Sequence, residues 1–156
     1  MNATPLRREL GKRNAFDSPQ QEAMLSVLKT SDLLENRLAR LLRDYDLTPS
    51  QYNVLRILRG ESKPMPMLEV AGRMIQVVPA ITRVVDQLVR RDLISKQQCN
   101  SDRRVYLVAI RPAGRKLLSK LDQPILDLHQ RLMKGLPRRE LEQLTAMLAQ
   151  LRSRID

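Results

Sequence analysis

The 156 residues are enough for one domain with a substantial core, and 28 Lys and Arg against 17 Asp and Glu make the chain strongly basic. A formal net charge of +11 favours a polyanionic partner such as nucleic acid over the alternative of a merely solubilising surface. Only 3% of the residues are aromatic, which argues against the stacking platforms that readers of single-stranded nucleic acid use, and leaves duplex DNA favoured.

The sequence gives little support for a secreted protein, a membrane protein or an enzyme. The single cysteine, Cys99, excludes an intramolecular disulfide, and we find neither a signal peptide nor a run of about 20 apolar residues. We therefore expect a soluble cytoplasmic protein. With His129 as the single histidine and no glycine-rich phosphate loop, the chain offers no evident catalytic, metal or cofactor site. We predict a protein without enzymatic activity and interpret Cys99 as incidental.

Residues 1–17 form a basic segment in which the cations are Arg7, Arg8, Lys12 and Arg13. Its composition predicts a flexible, solvated amino-terminal arm. The alternative is an arm whose cations touch DNA phosphates.

The first long helix is predicted over residues 18–44. Ser18 is a capping residue, Pro19 suits the first helical position, and Gln21 stands where a capping box requires it. Apolar residues then recur at helical spacing as far as Leu42. About 25 residues is long beside a mean helix of about 11–12, so we expect a second subunit to cover part of this helix.

A second capping box, Thr48-Pro49-Ser50-Gln51, opens the next helix, which should end near Gly60. Residues 61–66 contain two prolines and are predicted to form a loop. A short helix with apolar residues between Met67 and Met74 follows as the first half of a helix-turn-helix.

The stretch from Met74 to Arg111 carries the strongest functional signal. Its first half predicts a helix, because four apolar residues follow the i, i+3, i+4, i+7 spacing: Ile81, Val84, Val85 and Leu88. The opposite face is polar and basic: Gln76, Ala80, Thr82, Arg83, Gln87, Arg90 and Arg91. The second half is strand-like from Leu93 to Gln98 and from Arg104 to Ile110. This pattern indicates a winged helix-turn-helix, with a helix in the DNA major groove and a hairpin beside it.

The carboxyl-terminal part predicts two more helices. One begins at Pro112, should be kinked at Pro124 and ends at Gly135. The other begins at Pro137 and carries a near-heptad leucine stripe, which is typical of a dimerisation element.

The predicted fold class is therefore mainly α (α+β), with a single domain over residues 1–156. A winged helix-turn-helix DNA-binding lobe, residues 47–111, lies between the long N- and C-terminal helices. Residues 18–44 and 112–155 are expected to form the dimerisation lobe.

Three ordered segments carry a family likeness: LTPSQYNVLRIL (47–58), TRVVDQLVRRDLI (82–94) and SDRRVYLVAIRPAGRKLL (101–118). Their sequences and intervals resemble the MarR family of bacterial transcriptional regulators over roughly residues 33–151. The resemblance implies a homodimer that binds a pseudo-palindromic operator in double-stranded DNA, usually as a repressor. It also implies release of the DNA by a small phenolic or lipophilic effector, as in many members.

The resemblance extends to single residues. Thr82 and Arg83 match a threonine–arginine pair of the recognition helix that meets bases and phosphates. Arg103 and Arg104 match wing arginines that reach into the minor groove, whose negative potential suits arginine. Asp102 matches a wing aspartate, whose expected role is to pair with Arg104 and hold the hairpin tip in shape.

The start of the recognition helix departs from the family, which often has polar residues where Val77, Val78 and Pro79 stand. Valine cannot donate a hydrogen bond to a base edge, but its methyl groups can pack on the thymine methyl group. We include Gln76, Val78 and Pro79 among the residues expected to contact DNA.

Two further departures flank the ribbon. Asp92 stands where glycine is usual after the recognition helix, and aspartate tolerates the left-handed conformation moderately well. Arg111 replaces the usual threonine before the long helix, so that helix cap is lost or supplied otherwise.

Alternatives stay open for the DNA-binding residues. Arg83 could instead pair with Asp86 or contact Gln87, and the two wing arginines could be plain solvated charges. For the whole chain, the second hypothesis is a non-specific, nucleoid-type duplex binder or a protein-interaction module. The apolar Val77-Val78-Pro79 is the one feature that favours it.

The effector site is not assigned from the sequence. Tyr45, Tyr52 and Arg56 fall near the region where the family often has its pocket, but each could equally be a packing or surface residue.

Overall fold

The computed structural model describes residues 4–155, and within that range the chain forms seven helices and one three-stranded antiparallel sheet. The elements are α1 (Pro5–Glu9), α2 (Pro19–Arg43), α3 (Pro49–Arg59), β1 (Met65–Pro66), α4 (Met67–Gly72), α5 (Ile81–Arg90), β2 (Ile94–Gln98), β3 (Tyr106–Ile110), α6 (Pro112–Leu132) and α7 (Arg138–Arg152). The predicted winged-helix class, mainly α with a small sheet, is confirmed. The chain divides after Ser119 into two compact units.

The basic amino-terminal segment, for which the sequence predicts a flexible arm, contains the short helix α1. Leu6 of α1 is buried, and Arg7 donates hydrogen bonds to the backbone oxygens of Lys12, at 3.2 Å, and Arg13. The Lys12 ammonium lies 5.8 Å from the centre of the Phe16 ring. Buried Leu6 and these local bonds stabilise the turn. The flexibility of the arm stays a prediction, and residues 1–3 of it lie outside the described residues.

The cap of α2 differs in one bond from the predicted capping box. Ser18 Oγ accepts a hydrogen bond from the Gln21 backbone N–H at 3.1 Å, as a box requires. The Gln21 side-chain oxygen, however, accepts from the backbone N–H of Asp17 at 2.9 Å and not from that of Ser18. The start of the helix at Pro19 is confirmed all the same.

The capping box of α3 is complete. Thr48 Oγ1 accepts from the Gln51 backbone N–H at 3.2 Å, and Gln51 Oε1 accepts from the Thr48 backbone N–H at 3.0 Å. The helix ends before Gly60, as predicted. Because the box satisfies two backbone donors locally, it could be found in the sequence alone.

The core of the first unit surrounds α3, which packs against α2, α5 and β3. Its fully buried side chains are all aliphatic: Leu42, Val54, Leu55, Leu58, Val70, Val85, Leu88, Ile94, Val108 and Leu118. The recognition helix α5 and the β2–β3 hairpin are thus held on one shared apolar support.

The sheet has the strand order β1-β3-β2. In the hairpin, Ile94 pairs with Ile110 and Gln98 pairs with Tyr106, so the wing is one residue shorter at the start of β2 and two shorter at the start of β3 than predicted. Strand β1 lies where the sequence predicted only loop. A two-residue strand that contains a proline has no detectable periodicity, and an edge position tolerates the missing N–H.

The recognition helix begins later than the sequence indicated. Residues 74–80 are non-helical and α5 begins at Ile81, so Val77, Val78 and Pro79 precede the helix and do not form its first turn. Pro79 explains the difference, because it disfavours the helical conformation of the residue before it and has no N–H to donate.

The end of α5 is a Schellman motif. The N–H of Leu93 donates to the oxygen of Leu88 at 3.1 Å, and the N–H of Asp92 donates to the oxygen of Val89 at 2.9 Å. Asp92 has φ of 58°, which is the left-handed conformation expected at a position where glycine is usual. The chain then enters β2 in a direction set by this motif.

The second unit contains the rest of α6 and all of α7. Leu121, Ile125 and Leu128 of α6 are buried, whereas α7 contains no buried residue. Helix α6 continues through Pro124, and the expected kink there stays a prediction. Gly135 has φ of 92°, a conformation that suits glycine in the turn before α7. Throughout residues 4–155, the helices lack the length and apolar character that crossing a bilayer requires.

Candidate nucleic-acid interface

The outer face of α5 presents Thr82 and Arg83 to solvent. The alternative partners of Arg83 are both engaged elsewhere. Asp86 pairs with Lys96, and Gln87 accepts a hydrogen bond from Gln51 at 3.1 Å. Within residues 4–155 the Arg83 guanidinium therefore has no hydrogen-bond or ion-pair partner. It is available for an external anion.

A link that sequence reasoning missed connects the recognition helix to the wing. Lys96 Nζ of β2 lies 2.8 Å from Asp86 Oδ1 of α5, and 4.7 Å from the centre of the Tyr106 ring of β3. The Lys96 side chain is 19% exposed and the Asp86 side chain 45%, so the cation is shielded from solvent more than the carboxylate. No local pattern signals this contact, because its three residues lie on three different elements.

The wing tip is organised by Asp102. Its Oδ1 accepts from the backbone N–H of Arg104 at 2.9 Å and from Arg104 Nε at 3.2 Å, while Oδ2 accepts from Arg104 Nη2 at 3.3 Å. The side-chain hydrogen bond from Arg104, followed by the backbone one, lowers the pKa of Asp102. The predicted pairing of Asp102 with Arg104 is thus present.

The two arginines of the wing tip are not equivalent. Arg104 is held by Asp102, although its side chain is 92% exposed. Arg103 is joined to the wing through its backbone, whose oxygen accepts a hydrogen bond from Gln98 Nε2 at 2.5 Å. In the described part of the chain its guanidinium has no partner. The Arg103 side chain can therefore adjust its position to an external ligand, whereas the Arg104 side chain is already held by Asp102.

Cys99 lies at the base of the wing turn. Its Sγ is 3.1 Å from Ser101 Oγ, within hydrogen-bonding distance. Hydrogen bonds from the Ser101 side chain and then from the backbone of Ser101 and Asp102 lower the pKa of the thiol. Across residues 4–155, no three Cys, His, Asp or Glu side chains form a group suited to a metal ion.

The segment that leads into α5 holds the other predicted DNA contacts. Gln76 is exposed, but its side-chain amide donates a hydrogen bond to Glu35 of α2. Pro79 is exposed, and Val78 is half-buried. Val77 was not among the predicted contacts, yet the residue is 94% exposed. The structure does not bring these residues onto one helical face with Thr82.

The first helix of the helix-turn-helix is clamped at its end. Arg73 pairs with Glu61 of the preceding loop, at 2.5 Å, and with Glu69 of α4. These two carboxylates raise the pKa of Arg73, first through the hydrogen bond that Arg73 donates to Glu61. The clamp joins the loop before β1 to the turn that precedes residues 74–80.

A small cavity of about 100 Å³ lies between α2, α3 and the segment at Met74. Its walls are mostly apolar and include Leu38, Tyr52 and Met74. Arg56 contributes the cationic group and donates a hydrogen bond to Asn53 at 2.8 Å. Two of the three residues that the sequence associated with an effector, Tyr52 and Arg56, line this cavity.

Comparison with known proteins agrees with this geometry. The model of the MarR family matches residues 47–106. The chain is 34% identical to a MarR transcription factor from Planctomyces limnophilus, over 86% of this chain and 98% of that one, with a TM-score of 0.68.

Two structures with lower identity share the fold. One is MepR of S. aureus, solved in complex with DNA, at 21% identity over 83% of this chain and 96% of that one, with a TM-score of 0.75. The other is BpsR of Bordetella bronchiseptica, whose DNA binding is regulated by 6-hydroxynicotinic acid. It is 21% identical over 84% of this chain and 98% of that one, with a TM-score of 0.76.

Proposed function

The chain belongs to the MarR family of transcription regulators, and we propose that it is a repressor that binds double-stranded DNA sequence-specifically as a homodimer. The observation that carries this proposal is the exposed, unpartnered guanidinium of Arg83 on the outer face of α5. A cation without a protein partner, on a chain of net charge +11, suits a phosphate or a guanine edge. Enzymatic activity has no role in the proposal, and the site of action would be the cytoplasm.

The predicted contacts fall into three groups. Thr82 and Arg83 meet bases and phosphates in the major groove, where the amino-terminal end of a recognition helix lies. Arg103 and Arg104 enter the minor groove beside it, with Asp102 supporting the wing. The remaining predicted contacts lie in the turn before α5: Gln76, Val78 and Pro79. Gln76 must exchange its hydrogen bond with Glu35 to reach DNA.

The homodimer is supported by apolar side chains that stay exposed in one copy. Met24 and Leu28 of α2 are each 58% exposed, and Met147 of α7 is 60% exposed. Burial of such side chains between copies is the usual driving force of association. A two-fold dimer would present two recognition helices about 34–36 Å apart, which matches a pseudo-palindromic operator.

The cavity beside α3 supports a small phenolic or lipophilic effector. Its apolar wall with Tyr52 suits a ring or an alkyl chain, and Arg56 suits an acidic group at one end. Because Met74 and Gln76 also line it, occupation would change the turn that leads into α5. A titration of the DNA complex with phenolic acids and with fatty acids tests this part. Release of DNA by a member of either class is expected, and no release by any member contradicts it.

Selection of bound sequences from a random duplex pool tests the main proposal. We expect enrichment of a pseudo-palindrome whose half-sites are about one helical turn apart. The enriched duplex should then resist competition, because specific binding usually exceeds non-specific binding by roughly 10³-fold or more. Loss of the complex to an equal excess of random duplex contradicts a sequence-specific regulator and favours the non-specific, nucleoid-type alternative.

Light scattering tests the oligomeric state separately. A dimer is expected at micromolar concentration, and a monomer there contradicts the role given to α2 and α7.

A further inference from the structure

The two most exposed large apolar side chains within residues 4–155 lie in the turn that leads into α5. Val77 is 94% exposed and Ile75 is 80% exposed. Single exposed apolar residues need no explanation on most surfaces. Here they occupy the segment that precedes the amino-terminal end of the recognition helix, which a helix-turn-helix directs at base edges.

The side chains of this segment leave little hydrogen-bonding capacity for DNA. From Met74 to Ala80 the one polar side chain is Gln76, and its amide already donates to Glu35. The other six residues carry only apolar side chains: Met74, Ile75, Val77, Val78, Pro79 and Ala80. Apart from Gln76, any side-chain readout of bases by this turn is therefore apolar.

Val77 is the residue of this set that is placed to reach a ligand. Val78 is half-buried, and Ile75 lines the cavity between α2 and α3. Val77 is not among the residues that line this cavity, and it stands five residues before Thr82. Its two methyl groups are thus the exposed apolar surface next to the predicted polar contacts.

We propose that Val77 is a specificity-determining residue that packs on the 5-methyl group of a thymine in the major groove. The chemistry selects the base, because the thymine methyl is the only apolar group that the four bases present on that edge. The inference rests on the proposed function and deepens it, since it names the base that the turn before α5 recognises. It replaces Val78 with Val77 as the apolar contact.

Deoxyuridine substitution tests the contact directly. Deoxyuridine lacks only the 5-methyl group and keeps every hydrogen-bonding group of thymine. In the duplex enriched by the wild-type protein, each thymine of one half-site is replaced in turn by deoxyuridine, and the affinity is measured by fluorescence anisotropy. We expect one position at which wild-type binding weakens by about fourfold, as the loss of one buried methyl group predicts.

Two variants identify the residue that makes the contact. Val77→Ala should bind the thymine and deoxyuridine duplexes equally at that position, because the partner methyl groups are gone. Ile75→Ala is the matched control, since it removes a similarly exposed side chain two residues away and should keep the full preference for thymine. Thermal melting followed by circular dichroism should match wild type for both, because both side chains are mostly exposed.

The outcomes separate this inference from the proposed function. If no sequence is enriched, the proposed function fails and the inference fails with it. If a site is enriched but contains no thymine that is sensitive to deoxyuridine, only the inference fails. An unchanged preference in Val77→Ala, or an equal loss in Ile75→Ala, also overturns the role of Val77.

Discussion

The carboxylate of Asp92 accepts a hydrogen bond from Arg111 Nη1 at 2.5 Å, which joins the turn after α5 to the residue before α6. Both residues depart from the pattern of the family that the chain resembles, and the structure brings the two departures together. The N–H of Arg111 also donates to the oxygen of Leu93 at 3.0 Å. The two ends of the wing hairpin are thus tied at their base.

Position 92 should tolerate glycine better than alanine, as judged by the stability of the folded protein. Its φ of 58° costs an L-residue about 1–2 kcal/mol, and glycine avoids that cost. The ion pair with Arg111 is half exposed, so its loss costs at most about 1 kcal/mol. We expect Asp92→Gly to keep or slightly raise the free energy of unfolding in urea, and Asp92→Ala to lower it by about 1 kcal/mol or more. An alanine variant as stable as the glycine variant contradicts this explanation.

Gly114 should be intolerant of any side chain. A Cβ atom there would lie 2.4 Å from the oxygen of Leu93 and 2.9 Å from Cγ1 of Ile110. We expect Gly114→Ala to lower the free energy of unfolding by about 1–3 kcal/mol, because α6 must move off the base of the wing. Gly72→Ala is the control, since nothing lies within 4 Å of its Cβ position. The control should be neutral or more stable by up to about 1 kcal/mol.

Both wing arginines should contribute to DNA binding. Arg103→Ala and Arg104→Ala should each weaken operator binding about tenfold or more, because each removes a charge-assisted contact. The slope of log affinity against log salt should fall by about 0.9 for each lost phosphate contact. Arg139→Ala of α7, an exposed arginine outside the wing, controls for net charge and should change the slope little. Unchanged affinity in the Arg103/Arg104 double variant contradicts the wing assignment.

Only Arg104→Ala should also disturb the free wing. It removes both side-chain hydrogen bonds that Asp102 accepts from Arg104, whereas Arg103→Ala breaks no side-chain bond of the described residues. Amide NMR shifts of residues 99–105 in the absence of DNA should therefore change more in Arg104→Ala. Equal changes in both variants contradict this distinction.

The support that Asp102 gives to the wing should not depend on pH in the neutral range. Arg104 lowers the pKa of Asp102 in the folded state, so the ionised carboxylate stabilises the wing above its unfolded pKa of about 3.9. That contribution is lost only as the pH falls through the lower, folded pKa. Operator affinity should thus show no step from Asp102 between about pH 5 and 8.

Substitution separates the charge of Asp102 from its hydrogen bonds. Asp102→Asn keeps an acceptor for the Arg104 backbone N–H, whereas Asp102→Ala keeps none. We expect affinity for the operator to decrease in the order wild type, Asp102→Asn, Asp102→Ala, as measured by gel shift. Equal affinity in all three contradicts a supporting role for Asp102.

Lys96 should transmit the position of α5 to the wing. In Lys96→Met the ion pair with Asp86 and the contact with the Tyr106 ring are both lost. We expect weaker operator binding in Lys96→Met and in Asp86→Asn. The double variant should bind the operator about as well as the single variant that binds it more weakly. A coupling free energy of about 1 kcal/mol would result. Additive effects of the two substitutions contradict a coupled pair.

Local signals accounted for most of the elements. The capping box at Thr48 and Gln51, the proline at the start of α2 and the apolar spacing of Ile81, Val85 and Leu88 were each read correctly. In each case the stabilising groups lie within a few residues of one another, so the interaction can be predicted from their spacing along the chain. The left-handed conformation of Asp92 was likewise anticipated from its position after the recognition helix.

Contacts between residues distant in sequence decided which polar side chains are already paired and where β1 forms. Arg83 has no ion-pair partner on α5 because Asp86 already pairs with Lys96. Gln76 can reach DNA only if it releases its hydrogen bond with Glu35 of α2. The strand at Met65 exists only because β3 offers it an edge. The sequence by itself therefore determined the winged-helix class and its helix caps, through interactions between near neighbours. Only the tertiary structure decided which polar groups are already paired, because those partners are 10 to 41 residues apart in the chain.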